Sequence, residues 1–579
     1  MQNNAWLAVR SASALFGVAV AVFAGTAIPA RADAPCPLVT GPIPVRAPLG
    51  DPSHDYPQYV ADVDYASRGY VEAEYFFQGT ATRYSTPSMQ TGSVVSTGHP
   101  YKSRLIVRRP VKANQFNGTV IVEWVNVTSG YNNDALWKAS AEHLMRQGYA
   151  FVGVSAQQVG IHGPSGLLAW SPARYAGLDV RAGLPNDVLS YDIFSQAGMA
   201  VTCANGVDIM NGLPVERVVA SGVSQSQGRL VTYYNSVHPI SQVFDAFYLF
   251  LGLGGRLRTD IDTKVLKVNT ENDVMLLGEA AARQDDSDRL HTWEVAGTSH
   301  VSFIGFPSRQ EITRRDSLPI PDASTCNRPA LSRVPTYKVL NAAWEQLQRW
   351  MVEGVPPATA PRLELSSTSP AVARRDSFGN ILGGIRLAEH GVPIAVNDGV
   401  NSGPGFCILY GSHIDFDVAT LSALYPKHSD YVSAVTAATK ANQKSGFLLD
   451  EDVAGTRDQA DRSFIGYGYA CGAVCRASQT LRVLTDGSLI PNADKLLKSI
   501  DDATFAIASG DTRAPGSAKT QDYQKAIKAL QKYVADVNKL AGKGQVPATV
   551  APDLVAGAAA LIEGRAAALI EGLDELIGA

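Results

Sequence analysis

The sequence lacks what a nucleic-acid or acidic-lipid partner demands. No lysine- or arginine-rich stripe interrupts it and its formal net charge is −4, so electrostatics gives no reason to expect either partner. Beyond the first residues no segment is apolar for long enough to span a bilayer. Also missing are a G-x-x-x-x-G-K-[ST] loop, an H-E-x-x-H pair and a dinucleotide fingerprint after the first strand. Neither a metal nor an organic cofactor is therefore expected. What remains is an ordinary globular composition, 45% hydrophobic and 18% charged, which argues against general disorder. A chain of 579 residues also has room for more than one domain.

The first residues read as an export signal. Arg10 precedes "SASALFGVAVAVFAGTAIPARADA", an apolar stretch rich in small residues that ends in Ala30-Arg31-Ala32. A charged start, a short apolar middle and an A-x-A end predict cleavage after Ala32 and a secreted or periplasmic protein with no integral membrane segment afterwards. Cysteine is scarce: Cys36, Cys203, Cys326, Cys407, Cys471 and Cys475 are all there is. An even number in an exported chain permits up to three disulfides, whose pairing the spacing does not rank, and structural bridges or buried thiols are the expectation. The lone C-x3-C of Cys471 and Cys475, with no second pair, is poor ground for a metal site.

Along the chain, "YVEAEYFFQGTATRY" and "SRLIVRRP" read as extended, and "GTVIVEWVNV" reads as a continuous buried strand. Then "NNDALWKASAEHLMRQG" repeats apolar residues at helical spacing, with Asn132 or Asn133 able to cap its start and Gly148 to end it. Buried strands and helices keep alternating through "YAFVGVSA", "YDIFSQAGMAVTCAN", "RVVASGV", "GRLVTYYNSV", "VFDAFYLFLG", "KVLKVNT" and "LHTWEVAG". That order predicts an α/β fold, a mostly parallel sheet covered by helices on both faces, with ligands at the carboxyl ends of the strands. Near Gly354 the composition shifts to Pro, Thr and Ser, and from about Gly510 to Ala/Lys-rich helical text that ends in a twofold "AAALIEG" echo at Ala558 and Ala566.

The stretch "VVASGVSQSQGRL" is where chemistry is expected. A strand that turns abruptly into a helix needs small neighbours two residues either side of the turning residue. Ser224 and Ser226 both meet that demand, with Gly228 serving either register; Ser224 is favoured because the strand then ends at Val223. The Gln225 amide would face a developing oxyanion at the positive end of the following helix. A serine hydroxyl needs a base and an orienting carboxylate, expected after later strands in the order acid, then histidine. "KVLKVN" is followed by Glu271 and Asp273, and "HTWEV" by His300. Asp273 has the usual placement for the acid, and Glu271 is its rival. The second oxyanion donor is sought in the loop after "VIVEW", at the amides of Asn126 and Val127.

The motifs "VIVEWVNVTSGYN", "YDIFSQA", "ASGVSQSQGRLVTYYNSVHP", "TENDV", "AGTSHV" and "FGNILGGIRL", strung over about residues 40 to 475, resemble a family of secreted bacterial α/β-hydrolase-domain proteins. The resemblance implies an α/β-hydrolase fold, with Ser224 as nucleophile and His300 as base, but identifies no substrate. One departure is that this group often carries glycine where Gln227 stands. The expected organisation is a signal over 1–32, a hydrolase core over 33–355, its C-terminal part over 356–480 and a helical tail over 481–579. The expected activity is hydrolysis of a small or polymeric carboxylic ester. An amidase or peptidase with the same triad is the runner-up, and an exported binding protein on a hydrolase scaffold is the reading from another class.

Overall fold

A computed structural model describes residues 36–60, 63–461, 463, 465–466, 493–511, 516–543, 545–546 and 554–559. The expected signal segment, Cys471, Cys475 and most of the terminal echo lie outside them.

Nine strands form one sheet: β1 (Leu38–Thr40), β2 (Tyr70–Tyr84), β3 (Val94–Pro110), β4 (Thr119–Trp124), β5 (Ala150–Val154), β6 (Arg217–Val223), β7 (Ala246–Phe250), β8 (Lys264–Thr270) and β9 (Leu290–Val295), in the order β1-β2-β3-β5-β4-β6-β7-β8-β9. Pairing is antiparallel from β1 to β5 and parallel from β5 onward to β9. The parallel strands are buried along nearly their whole length, as they must be when both faces are covered. Successive residues then serve opposite cores. Val120, Val122 and Trp124 pack with Phe194 and Tyr233 on one side, while Ile121 and Phe151 pack with Trp137 and Trp344 on the other.

The helices that matter to the site are α1 (Ala135–Arg146), α2 (Ser190–Met199), α3 (Gln225–Thr232), α4 (Glu271–Leu276), α5 (Gly305–Arg315) and α6 (Thr336–Glu353). The strand read from "GTVIVEWVNV" stops at Trp124, because Asn126 turns the chain into a closed loop with Asn133. Asp134, rather than Asn132 or Asn133, precedes α1, and it makes no side-chain cap. The cap comes instead from the sheet, where the buried Glu123 carboxylate accepts from the amides of Leu136 and Trp137.

The segment after α6 follows no simple alternation, but it packs on the main body. Phe447 meets Trp293 edge-on at 5.1 Å between ring centres, and Lys338 pairs with Glu389 at 2.9 Å. Two helices here, α7 (His428–Lys444) and α8 (Asp450–Asp461), share a small core that includes Val435 and Ala460. In the tail, α9 (Ala493–Asp511) and α10 (Ser517–Ala541) bury Leu496, Ile500, Leu530, Tyr533 and Val537 against one another. Disulfides join Cys36 to Cys203 and Cys326 to Cys407. Among the described residues no helix is long and apolar enough to cross a membrane.

Candidate active site

At the carboxyl edge of the sheet, β6 passes directly into α3 through the single residue Ser224. Ser224 stands there with φ 60° and ψ −120°, a conformation costly for any residue with a side chain. Several contacts hold it there. The Ser224 amide donates to Phe250 O on β7 at 3.1 Å. Behind it, the buried Ser226 hydroxyl donates to Val223 O (2.9 Å) and accepts from Val223 N (3.0 Å). Ser226 therefore clips the turn and faces away from solvent, whereas Ser224 remains half-buried with its hydroxyl free to act.

Small residues matter unequally around this turn. A Cβ on Gly222 would stand 2.9 Å from Leu230 Cδ1 and 3.0 Å from the Ser226 backbone, so helix and strand touch there. At Gly228 the nearest atom would be 3.9 Å away, on Leu253. The close approach of helix and strand is therefore made at Gly222 and not at Gly228. Gln227, where the resembling family carries glycine, is buried and accepts from the Leu253 amide at 3.3 Å without displacing Ser224.

The loops after β8 and β9 bring two further groups to the serine. In the tautomer with its proton on Nδ1, His300 donates to Asp273 Oδ1 at 2.6 Å and accepts from Ser224 Oγ at Nε2, 2.8 Å away. Asp273 is fixed by a reciprocal cap on α4. Its second oxygen accepts from Thr270 N (2.7 Å), and its own amide donates to the Thr270 hydroxyl.

Glu271 does not reach His300. Residues two apart on a helix point about 200° away from each other, so one of the pair faces the histidine and the other faces back. The Glu271 carboxylate accepts from the Gly297 amide (2.9 Å) and pairs with Arg375 (3.1 Å). Burial and the neighbouring Asp398 push its carboxyl up to about 8, against the pull of Arg375. Its contacts brace the loop that carries His300.

The two expected oxyanion donors also part company. Asn126 spends its amide on Asn133 O at 2.9 Å, while its side chain donates to Val223 O (3.0 Å) and accepts from Thr128 N. It is a strut for the turn, and its amide is withdrawn from any ligand. Among the described residues the Val127 and Gln225 amides have no hydrogen-bond partner, the latter at the first position of α3.

These groups open on a cavity of ≈ 600 Å³. Ser224, His300 and Phe250 line it at the strand ends, together with Phe406 and Tyr410 from the C-terminal segment and Arg309 from α5. No motif or period in the sequence marks Arg309 or Tyr410; only the folded arrangement brings them to the cavity. The segment after Gly354 therefore contributes lining as well as support.

A family model described as an alpha/beta hydrolase domain matches residues 39–458. No curated protein matches the chain. Among solved structures, a Klebsiella pneumoniae protein assigned as a dienelactone hydrolase is 12% identical, with 48% of this chain and 99% of that one covered and a TM-score of 0.24. The rice cell wall degrading esterase LipA from Xanthomonas oryzae is 16% identical, covering 31% of this chain and 42% of that one at a TM-score of 0.19. A glucuronoyl esterase from Solibacter usitatus is 9% identical, with 45% and 74% covered at a TM-score of 0.21. At such values these likenesses carry no statement about substrate.

Proposed function

We propose, from the premise that this chain belongs to the alpha/beta hydrolase domain family matched over residues 39–458, that it is an exported serine hydrolase acting on a carboxylic ester. The observation that carries the reading is the unbroken hydrogen-bonded chain Ser224–His300–Asp273 beside a cavity.

Ser224 Oγ attacks the ester carbonyl carbon while His300 Nε2 takes its proton, and Asp273 stabilises the imidazolium so formed. The negative oxygen of the tetrahedral intermediate is met by the amides of Gln225 and Val127, with the positive end of α3 behind the first. The C–O bond to the alcohol then breaks, and the alcohol leaves with the proton held by His300. Water, deprotonated by the same imidazole, releases the acid and restores the serine. This sequence uses neither metal nor organic cofactor.

Export rests on the signal-like first 32 residues and on disulfides that an oxidising compartment maintains. Turnover of short p-nitrophenyl esters tests the activity. Ser224→Ala should lower kcat by about 10,000-fold or more. An unchanged rate in that variant would refute the proposed role.

A further inference from the structure

Among the described residues, the most deeply buried guanidinium groups are matched by carboxylates. Arg104 and Arg174 each lie 2.7 Å from Glu74, Arg108 lies 2.7 Å from Glu72, and Arg315 lies 2.7 Å from Asp316. Arg309, half-buried in the lining of the Ser224 cavity, is not matched in this way. Among the described residues it has no acidic partner; it donates to the Ser129 hydroxyl, and its Nε is buried without a hydrogen bond.

What surrounds it is a set of idle hydroxyls. Tyr59, Tyr131 and Tyr410 are 2%, 0% and 1% exposed; the Tyr131 hydroxyl lies beside Arg309 and Tyr59, and none of the three hydroxyls has a partner in good hydrogen-bonding geometry. All of them interact electrostatically with Arg309. Tyr59 and Tyr410 line the same cavity as Ser224, and Tyr131 packs behind Tyr59 with ring centres 4.7 Å apart. Buried donors left without acceptors are rare, because each forfeits its hydration for nothing in return. A cation and hydroxyls that converge without an acceptor form a receptacle for an anion.

We infer that Arg309, with the cavity-lining hydroxyls of Tyr59 and Tyr410 and with Tyr131 behind them, binds a carboxylate on the substrate, so that the esters cleaved at Ser224 carry a free acid elsewhere in the molecule. The inference rests on the hydrolase reading for its substrate and on the cavity alone for its anion. The planar fork of a guanidinium matches a carboxylate. One unmatched cation also balances a single negative charge, whereas a phosphate dianion would bring an excess. The tie from Arg309 to Ser129 holds the guanidinium against the loop that supplies the Val127 amide. Charge recognition and carbonyl activation are thereby anchored to the same stretch of backbone.

Mono-p-nitrophenyl esters of adipic, pimelic and suberic acid, each compared with its neutral methyl-capped counterpart, test this in the full-length protein. At least one free acid should exceed its capped partner in kcat/KM by about 30-fold or more, chiefly through KM. The advantage should vanish in Arg309→Gln and persist in part in Arg309→Lys. Calorimetric binding of methyl hydrogen adipate and methyl hydrogen suberate to Ser224→Ala supplies a readout independent of turnover, and adding Arg309→Gln to that protein should abolish it. Equal turnover of acids and capped esters, with no monoester binding, would overturn the subsite and leave the hydrolase standing. Arg309-dependent binding without turnover of any ester would uphold the subsite and remove the hydrolase reading. Absence of both would remove both.

Discussion

Asp273 and Glu271 sit two positions apart on the same short helix, and both are fully buried, yet their surroundings give them different work. Asp273 faces an imidazole and is held by the cap of its own helix. Glu271 faces an amide and a guanidinium in the opposite direction. Replacing each separately should resolve these roles. Asp273→Asn keeps the shape but loses the charge that selects the tautomer and steadies the imidazolium, so kcat should fall by about 10,000-fold. Glu271→Gln should leave far more of kcat and appear mainly as a lower unfolding midpoint, since it weakens the buried tie to Arg375. Steady-state kinetics and thermal unfolding of the two proteins check this. Equal small losses of kcat would mean that neither carboxylate orients the base.

At the scale of elements, the turn from β6 to α3 depends on a contact that only glycine permits, and that contact lies before the serine. Gly222→Ala places a methyl 2.9 Å from Leu230 Cδ1 and 3.0 Å from the Ser226 backbone. It should cost about 1 to 3 kcal/mol of stability and slow ester turnover by shifting Ser224. Gly228→Ala meets nothing closer than 3.9 Å within a helix, and should be neutral or stabilise by up to about 1 kcal/mol. Thermal unfolding of the two variants checks both, and the reverse order would contradict the packing described.

The alternation of strands and helices was legible because parallel strands buried on both faces must be continuous apolar runs, as in "VIVEW" and "AFYLF". Ser224, Asp273 and His300 stand after β6, β8 and β9, and those places could be read for the same reason, since a strand's end shows locally. Glycine spacing was a weaker guide. It names small residues but not which of them touches a neighbour: Gly222 makes the close contact, and Gly228 meets nothing nearer than 3.9 Å. The cap on α1 was illegible because its acceptor, Glu123, belongs to a strand. The busy amide of Asn126 was hidden because its partner, Asn133, closes the loop from the far side. Arg309 and its tyrosines come from sequence positions 59, 131, 309 and 410, a convergence that no local pattern encodes.

Over the whole molecule, the cavity is built by two regions of chain that meet late in the sequence. The strand ends supply Val223 and Phe250 to its lining, and the segment around Phe406 and Tyr410 supplies more of it. That segment is tied back by the Cys326–Cys407 bridge, which closes a loop of 81 residues next to Phe406. In the chain-entropy view such a crosslink stabilises by up to about 4 to 5 kcal/mol. Replacing both cysteines by serine should therefore lower the unfolding midpoint and raise KM for esters that fill the cavity, with a smaller change in kcat. Denaturation and Michaelis curves of that double variant supply the check. A changed kcat at constant KM would place the bridge's influence on the triad instead of on the wall.

The central claim is that one hydroxyl, at Ser224, is made nucleophilic by its position. Treatment of the folded protein with a fluorophosphonate, followed by identification of the modified peptide, tests it most directly. The account predicts a single adduct on Ser224, lost in Ser224→Ala and in His300→Ala. An adduct on Ser226, or none on folded protein, would contradict it.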